Sequence, residues 1–165
     1  MEKILVSACL LGQPVRYNGK AFSFKNHLLG VWQKEGRIVS LCPEMASGFP
    51  VPRPSAEIEF LREGSDILAG SSQVFEDNGD DVTALFVEGA QIALDVAIAN
   101  NCRFALLTDG SPSCGSTFIY DGTFNNVQKQ GAGVVAALLV ENGIRVFSQR
   151  NIGELADALK RLSHK

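Results

Sequence analysis

The chain has 165 residues, 45% of them hydrophobic and 20% charged, with a formal net charge of −3. That is the composition of one ordinary globular domain with a substantial core. The weak negative charge gives no electrostatic basis for binding nucleic acid or an anionic membrane, and no stretch approaches the roughly 20 apolar residues of a membrane span.

The opening MEKILVSACLLG lacks the length and flanking pattern of a secretion signal, so a cytoplasmic location is expected. In a reducing compartment the four cysteines are expected as thiols, metal ligands or catalysts rather than as disulfides.

In chain order, KILVSACL at 3–10 has the short apolar run of a buried strand, and Ser23 to Lys34 forms a candidate helix with Ser23 as its N-cap. RIVSLC at 37–42 is a second strand. Residues 53–80 break the alternation and read as an excursion, a β-hairpin carrying EIEF and SQVFED. TALFVEGAQIALDVAIANN at 83–101 is helical by the spacing of Phe86, Ala90, Ile92, Ala93, Val96 and Ala97. RFALLTD at 103–109 and RVFSQ at 145–149 complete four strands; 132–143 and 151–162 are helices, the latter with Asn151 as N-cap. Strands joined by helices predict an α/β fold: a parallel sheet of about four strands with helices on both faces, in a single domain spanning 1–165.

On this scheme the cysteines fall into two groups. Cys9 ends the first strand, Cys42 ends the second, and Cys114 lies in the loop after the third. Open parallel sheets place their sites beyond the carboxyl ends of the strands, so these three thiols are expected at one edge. Cys102 falls at the opposite end, where a small buried hydrophobe is the simpler reading. Each of the three has turn-forming neighbours: LLGQPVRYNG after Cys9, the prolines of CPEMASGFPVPRP after Cys42, and SPSCG around Cys114. The prolines are expected to keep a helix from starting directly after Cys42. Gathered thiolates repel unless a cation neutralises them, and sulfur ligands suit zinc or iron–sulfur centres. Without a CxxC pair, three unrelated buried thiols remain the alternative on spacing alone.

Five blocks, SACLLGQPVRYNG, LCPEMASGFPVPRPSAEI, DVTALFVEGA, SPSCG and IYDGTF, resemble in order and from Lys3 to Ser148 the family that includes the thiouracil desulfidases. The resemblance implies a 4Fe-4S cluster held by Cys9, Cys42 and Cys114, leaving Cys102 out. It implies that one iron stays open to the sulfur of a thiolated pyrimidine, so that water replaces sulfur without net electron transfer. Glu44 matches the acid–base group of the family's CPE motif; capping a helix or pairing with Arg53 is its alternative role. Ser111 and Ser113 are candidates to orient substrate or to donate to cluster sulfur, with local turn bonds as the alternative.

Arg16, Tyr17 and Asn18 are placed to contact a planar base; Arg53, Glu57 and Tyr120 fall in the family-like blocks with structural pinning as the other reading. His27 and His164 show no ligand spacing, and Trp32 is expected in the core. Thr108 stands where many members carry lysine, which bears on substrate identity and not on the ligand set. The expected partner is a small thiolated base. Two rivals are a zinc-thiolate hydrolase and a non-catalytic domain carrying iron or sulfide; Glu44 beside a thiol counts against the carrier.

Overall fold

In the computed structural model, which describes residues 1–20 and 24–164, four parallel strands form the central sheet: β1 (Ile4–Ser7), β2 (Ile38–Leu41), β5 (Phe104–Leu107) and β8 (Arg145–Ser148). Their order is β2-β1-β5-β8, with Ile4 opposite Ile38 on one side and Phe104 on the other. The chain leaves β1 toward β2 and leaves β5 toward β8, so the winding direction reverses between β1 and β5. In open α/β sheets the crevice at such a switch point is where ligands bind.

The alternation of side chains along the strands makes two cores, one on each face. Leu5, Ala105 and Leu107 pack against α4 (Thr83–Ala99) and α5 (Val134–Glu141). Ile4, Val6, Leu106 and Phe147 point the other way, to α1 (His27–Lys34) and α6 (Ile152–Ser163). Trp32 belongs to this second core, 4% exposed, as expected. All four sheet strands and all four long helices match the sequence reading. The expected N-cap Ser23 lies outside the described residues; Asn26 caps α1, its Oδ1 accepting from the Leu28 amide at 2.9 Å. Asn151 precedes α6, but its side chain makes no cap bond to that helix and accepts instead from the Ser148 amide.

Three local expectations need correction. Cys9 does not end β1; the strand stops at Ser7, and Cys9 sits in a 3-10 turn over Ala8–Leu11. A helix does start directly after Cys42: α2 (Pro43–Ala46) has Cys42 as N-cap and proline at its first position. That position needs no amide hydrogen and suits the fixed φ of proline, so the residue expected to block the helix opens it. The excursion does hold an antiparallel pair, β3 (Ala56–Ile58) with β4 (Val74–Glu76). It is not a plain hairpin, because α3 (Gly64–Leu68) intervenes, its start closed by reciprocal bonds between Glu63 and Asp66. A further pair, β6 (Phe118–Tyr120) with β7 (Gln128–Gln130), had no strand expectation. Its second strand, Gln-Lys-Gln, carries no apolar signal. Among the described residues no helix is long and apolar enough to cross a membrane.

Candidate functional site

A cavity of about 650 Å³ opens beyond the carboxyl ends of the sheet strands, and Cys9, Cys42, Cys114, Glu44, Ser111 and Ser113 all line it. Three separate strand exits deliver the thiols. The turn after β1 carries Cys9, the start of α2 carries Cys42, and the loop after β5 carries Cys114. All three are free, as is Cys102. Cys102 is absent from the cavity wall and packs at 5% exposure in the core.

Electrostatics link the three thiols and separate them from the fourth. Burial pushes the Cys114 thiol far above its ordinary range, the Ser7 side chain opposing by a hydrogen bond, and Cys9, Glu44 and Cys42 push it further. Burial raises Cys9 too; its Sγ lies 2.7 Å from Thr108 Oγ1, which draws the value back, while Cys42 raises it and Arg16 lowers it. Burial also raises Cys102, but the charges it feels are Lys3 and Glu2. A thiolate at Cys114 would stand against the charges of Cys9, Cys42 and Glu44, and a bound cation would relieve that opposition. Among the described residues, no group of three His, Cys, Asp or Glu side chains is close enough to hold a single metal ion. The three cysteine sulfurs that line one cavity are nonetheless a soft donor set of the kind that iron–sulfur centres and zinc take.

Glu44 is held by its neighbour rather than left loose. Arg53 Nε and Nη2 both donate to Oε2, at 2.7 and 2.5 Å, with the two side chains 5% and 14% exposed. The pairing with Arg53, weighed in the sequence as an alternative to an acid–base role, is thus present. It leaves Oε1 toward the cavity, where Ser111 Oγ lies 3.5 Å away. Ser111 Oγ accepts from the Ser113 and Cys114 amides at 3.0 and 3.2 Å, so its own proton is directed outward to Glu44. Ser111 therefore makes the local turn bonds and faces the cavity at once. Ser113 is 2% exposed; Cys114 Sγ lies 3.9 Å from its hydroxyl.

The loop that carries Ser111, Ser113 and Cys114 is braced from beneath by Asp109, which the sequence reading did not single out. Its Oδ1 accepts from the amides of Gly110, Ser116, Thr117 and Phe118 at 3.0–3.2 Å, and the Thr117 hydroxyl donates to Oδ2. Burial raises the Asp109 carboxyl, yet the Thr117 hydroxyl and the Phe118, Thr117 and Ser116 amides outweigh it and hold the group below the ordinary carboxylate range. An Asp followed by glycine is a turn-forming pattern; the hub itself is invisible in sequence because its partners are backbone amides. From above, Gly133 at the start of α5 presses on the same loop. A Cβ there would lie 2.5 Å from the Ser113 carbonyl oxygen.

The remaining candidates divide. Arg16 and Tyr17 line the cavity, whereas Asn18 does not: its Oδ1 accepts from the Lys20 amide in a local turn. Arg53 also donates to the Val15 carbonyl at 3.1 Å, tying the segment after Cys9 to the one after Cys42. Glu57 and Tyr120 line the outer wall. Thr108 is buried and bonded to Cys9. His27 and His164 lie at helix ends away from the cavity.

A family model described as 2-thiouracil desulfurase matches residues 4–151. The protein YbbK of Bacillus subtilis (strain 168) is 43% identical over 153 residues, covering 92% of this chain and 99% of its own. A solved structure, described as the 4Fe-4S-dependent thiouracil desulfidase TudS, is similar at a TM-score of 0.88 and 48% identity, covering 97% of this chain and 99% of that one. The chain belongs to the 2-thiouracil desulfurase family.

Proposed function

We propose that the protein is a desulfidase that removes sulfur from a thiolated pyrimidine by non-redox hydrolysis, using a 4Fe-4S cluster bound through Cys9, Cys42 and Cys114. The observation that carries this reading is the meeting of three free thiols from three strand exits in one cavity, beside a carboxylate held by Arg53. The cluster dependence of the similar TudS structure supports the cofactor. With three protein thiolates, such a cluster supplies one iron with an open position, a Lewis acid for the thiocarbonyl sulfur.

The rest of the chemistry falls to the chain. Water adds at the thiocarbonyl carbon, the carbon–sulfur bond breaks, and a carbon–oxygen double bond replaces it. The products are the oxo-pyrimidine and hydrogen sulfide, with no electron gained or lost overall. Glu44 Oε1 takes one proton of the attacking water and passes it to the departing sulfur, then relays the proton of the added hydroxyl as the carbonyl forms, so that both hydrogens of the water leave as hydrogen sulfide. Arg53 occupies Oε2, which fixes the carboxylate so that only Oε1 faces the reaction. Ser111, its proton turned outward by the two amides it accepts, orients water or substrate beside Glu44. Ser113, whose hydroxyl accepts from the Cys114 thiol, would donate to that sulfur once it is a thiolate. Apolar walls from Phe49, Phe86 and Leu41 exclude bulk water and strengthen each of these interactions.

The test is anaerobic turnover of 2-thiouracil and 4-thiouracil by the iron-loaded protein, without any electron donor. Uracil and sulfide in equal amounts are the expected products. A requirement for a reductant would refute the non-redox course, and no turnover on any thiolated base would refute the substrate class.

A further inference from the structure

The cavity continues outward from the thiols to an aromatic wall that includes Phe118, Tyr120 and Phe124. Phe118 and Tyr120 are already engaged. They meet edge-on with centroids 6.1 Å apart, and the Arg150 guanidinium lies 4.4 Å from the centre of the Phe118 ring. Among the described residues, no ring or guanidinium stacks on Phe124. It is an aromatic side chain at the cavity that no described ring or guanidinium stacks on.

The backbone at Phe124 is also out of the ordinary. Its φ is +58°, a left-handed conformation that a bulky L-residue keeps only where its surroundings hold it. The hold can be traced. Gly122, at φ +93°, passes so close to β3 that a Cβ would lie 2.6 Å from the Ile58 carbonyl oxygen. Glu57 Oε1 then accepts from the Gly122 amide at 2.8 Å and the Phe124 amide at 3.2 Å. The Asp121 amide donates to the Val127 carbonyl at 2.9 Å and closes the loop. Phe124 joins neither hydrophobic core, so this arrangement does not serve core packing. Strain maintained by a carboxylate at the rim of a cavity points to a functional demand.

We infer that Phe124 is a specificity-determining residue, an aromatic platform on which the planar heteroaromatic ring of the substrate stacks, and that Glu57 is the positioning residue that holds it at the cavity. The inference rests on the desulfidase reading above and names how that site takes its substrate. Stacking fits such a ligand because it engages the face of the ring and leaves its polar edge, with the sulfur, free to reach inward to the thiols. It also explains why one carboxylate on β3 serves two amides in a surface loop. Glu57 sets the loop's conformation without touching the reacting atoms.

The experiment compares Phe124→Ala, Phe124→Gly and Glu57→Leu with the unmutated iron-loaded protein under anaerobic conditions. Iron content, KM and kcat for 4-thiouracil, and the affinity for uracil by calorimetry are the readouts. Removing the ring should raise KM and weaken uracil binding by the same factor, about tenfold on the scale of a base stacked on an aromatic side chain. Turnover per intact cluster should change far less. Phe124→Gly keeps the favoured left-handed backbone, so it should lose no thermal stability while losing affinity. Glu57→Leu should raise KM in the same way, and Glu57→Gln, which retains a carbonyl acceptor, should restore it. Unchanged KM and uracil affinity in Phe124→Gly, with normal iron content, would overturn the inference while leaving the desulfidase reading intact. Failure of the unmutated protein to turn over any thiolated base would retire both.

Discussion

Cys102 and Cys114 sit at opposite ends of β5, equally buried at 5% and 6% exposure, and burial raises both thiols. Their surroundings differ. Cys102 follows the Asn100–Asn101 turn, with its amide donating to the Ala97 carbonyl and with the charges of Lys3 and Glu2 acting on it in opposite directions. Cys114 lies in a loop fixed from two sides, facing two more thiols, a carboxylate and two serines. Burial alone therefore says nothing about function in this fold. The carboxyl edge of the sheet collects groups that destabilise one another, and the amino edge collects groups that merely pack.

The sharpest way to break this comparison is to remove each thiol in turn. Cys114→Ala should abolish desulfuration, because the proposed cluster would be left with two protein thiolates. Cys102→Ala should keep it. An assay of sulfide release per chain, with protein loaded under identical anaerobic conditions, separates the two.

Next in size is Glu44→Gln. It keeps the shape of the side chain, and turnover per intact cluster should fall by about 10²–10⁴, the usual contribution of a positioned acid–base group. If activity instead falls only in proportion to lost iron, Glu44 serves the loop and not the chemistry.

The bracing of the Cys114 loop can be tested from either side. Gly133→Ala drives a methyl group against the Ser113 carbonyl, where backbone on both sides leaves little room to yield. Overpacking of this kind costs about 1–3 kcal/mol, to be read as a lower denaturation midpoint together with weaker iron retention. Asp109→Asn should cost a comparable amount, about 1–3 kcal/mol, since a buried hydrogen-bonded hub loses its charge.

The pH dependence of the Asp109 contribution has a definite sign. The folded-state value lies below the ordinary carboxylate range, so the stabilisation is fully present above the unfolded value of about 3.9. It disappears as pH falls through the folded value. Unfolding experiments on the acid side of pH 5 should show a shallower decline in Asp109→Asn than in the unmutated protein. Cys102→Ala sits at the low end, with about 1 kcal/mol or somewhat more lost to a small core truncation and no change in iron.

The same contrast between the two ends of the sheet explains what could be read in the sequence. Strands such as RFALLTD announce themselves by apolar runs, and the grouping of three thiols follows from their places after strands, which topology alone constrains. The pairing of Glu44 with Arg53 entered only as an alternative to its acid–base role, because a carboxylate beside a thiol and an arginine nine positions on are visible in the chain while their contact is not. The helix after Cys42 was not, since proline was weighed as a breaker when at the first helical position it is a starter. β7, Gln128–Gln130, carries no apolar alternation. Asp109 stayed hidden because backbone amides, its principal partners, leave no mark in a sequence. The tertiary features that sequence missed are mostly backbone-mediated ones, and they lie around the cavity rather than in the two cores.

The most direct test of the central claim is iron and sulfide analysis of the four single variants Cys9→Ala, Cys42→Ala, Cys114→Ala and Cys102→Ala after anaerobic reconstitution. The assignment predicts a full complement of iron and sulfide in Cys102→Ala and loss of the cluster in each of the other three. Iron lost from Cys102→Ala and retained by any one of the others would contradict it.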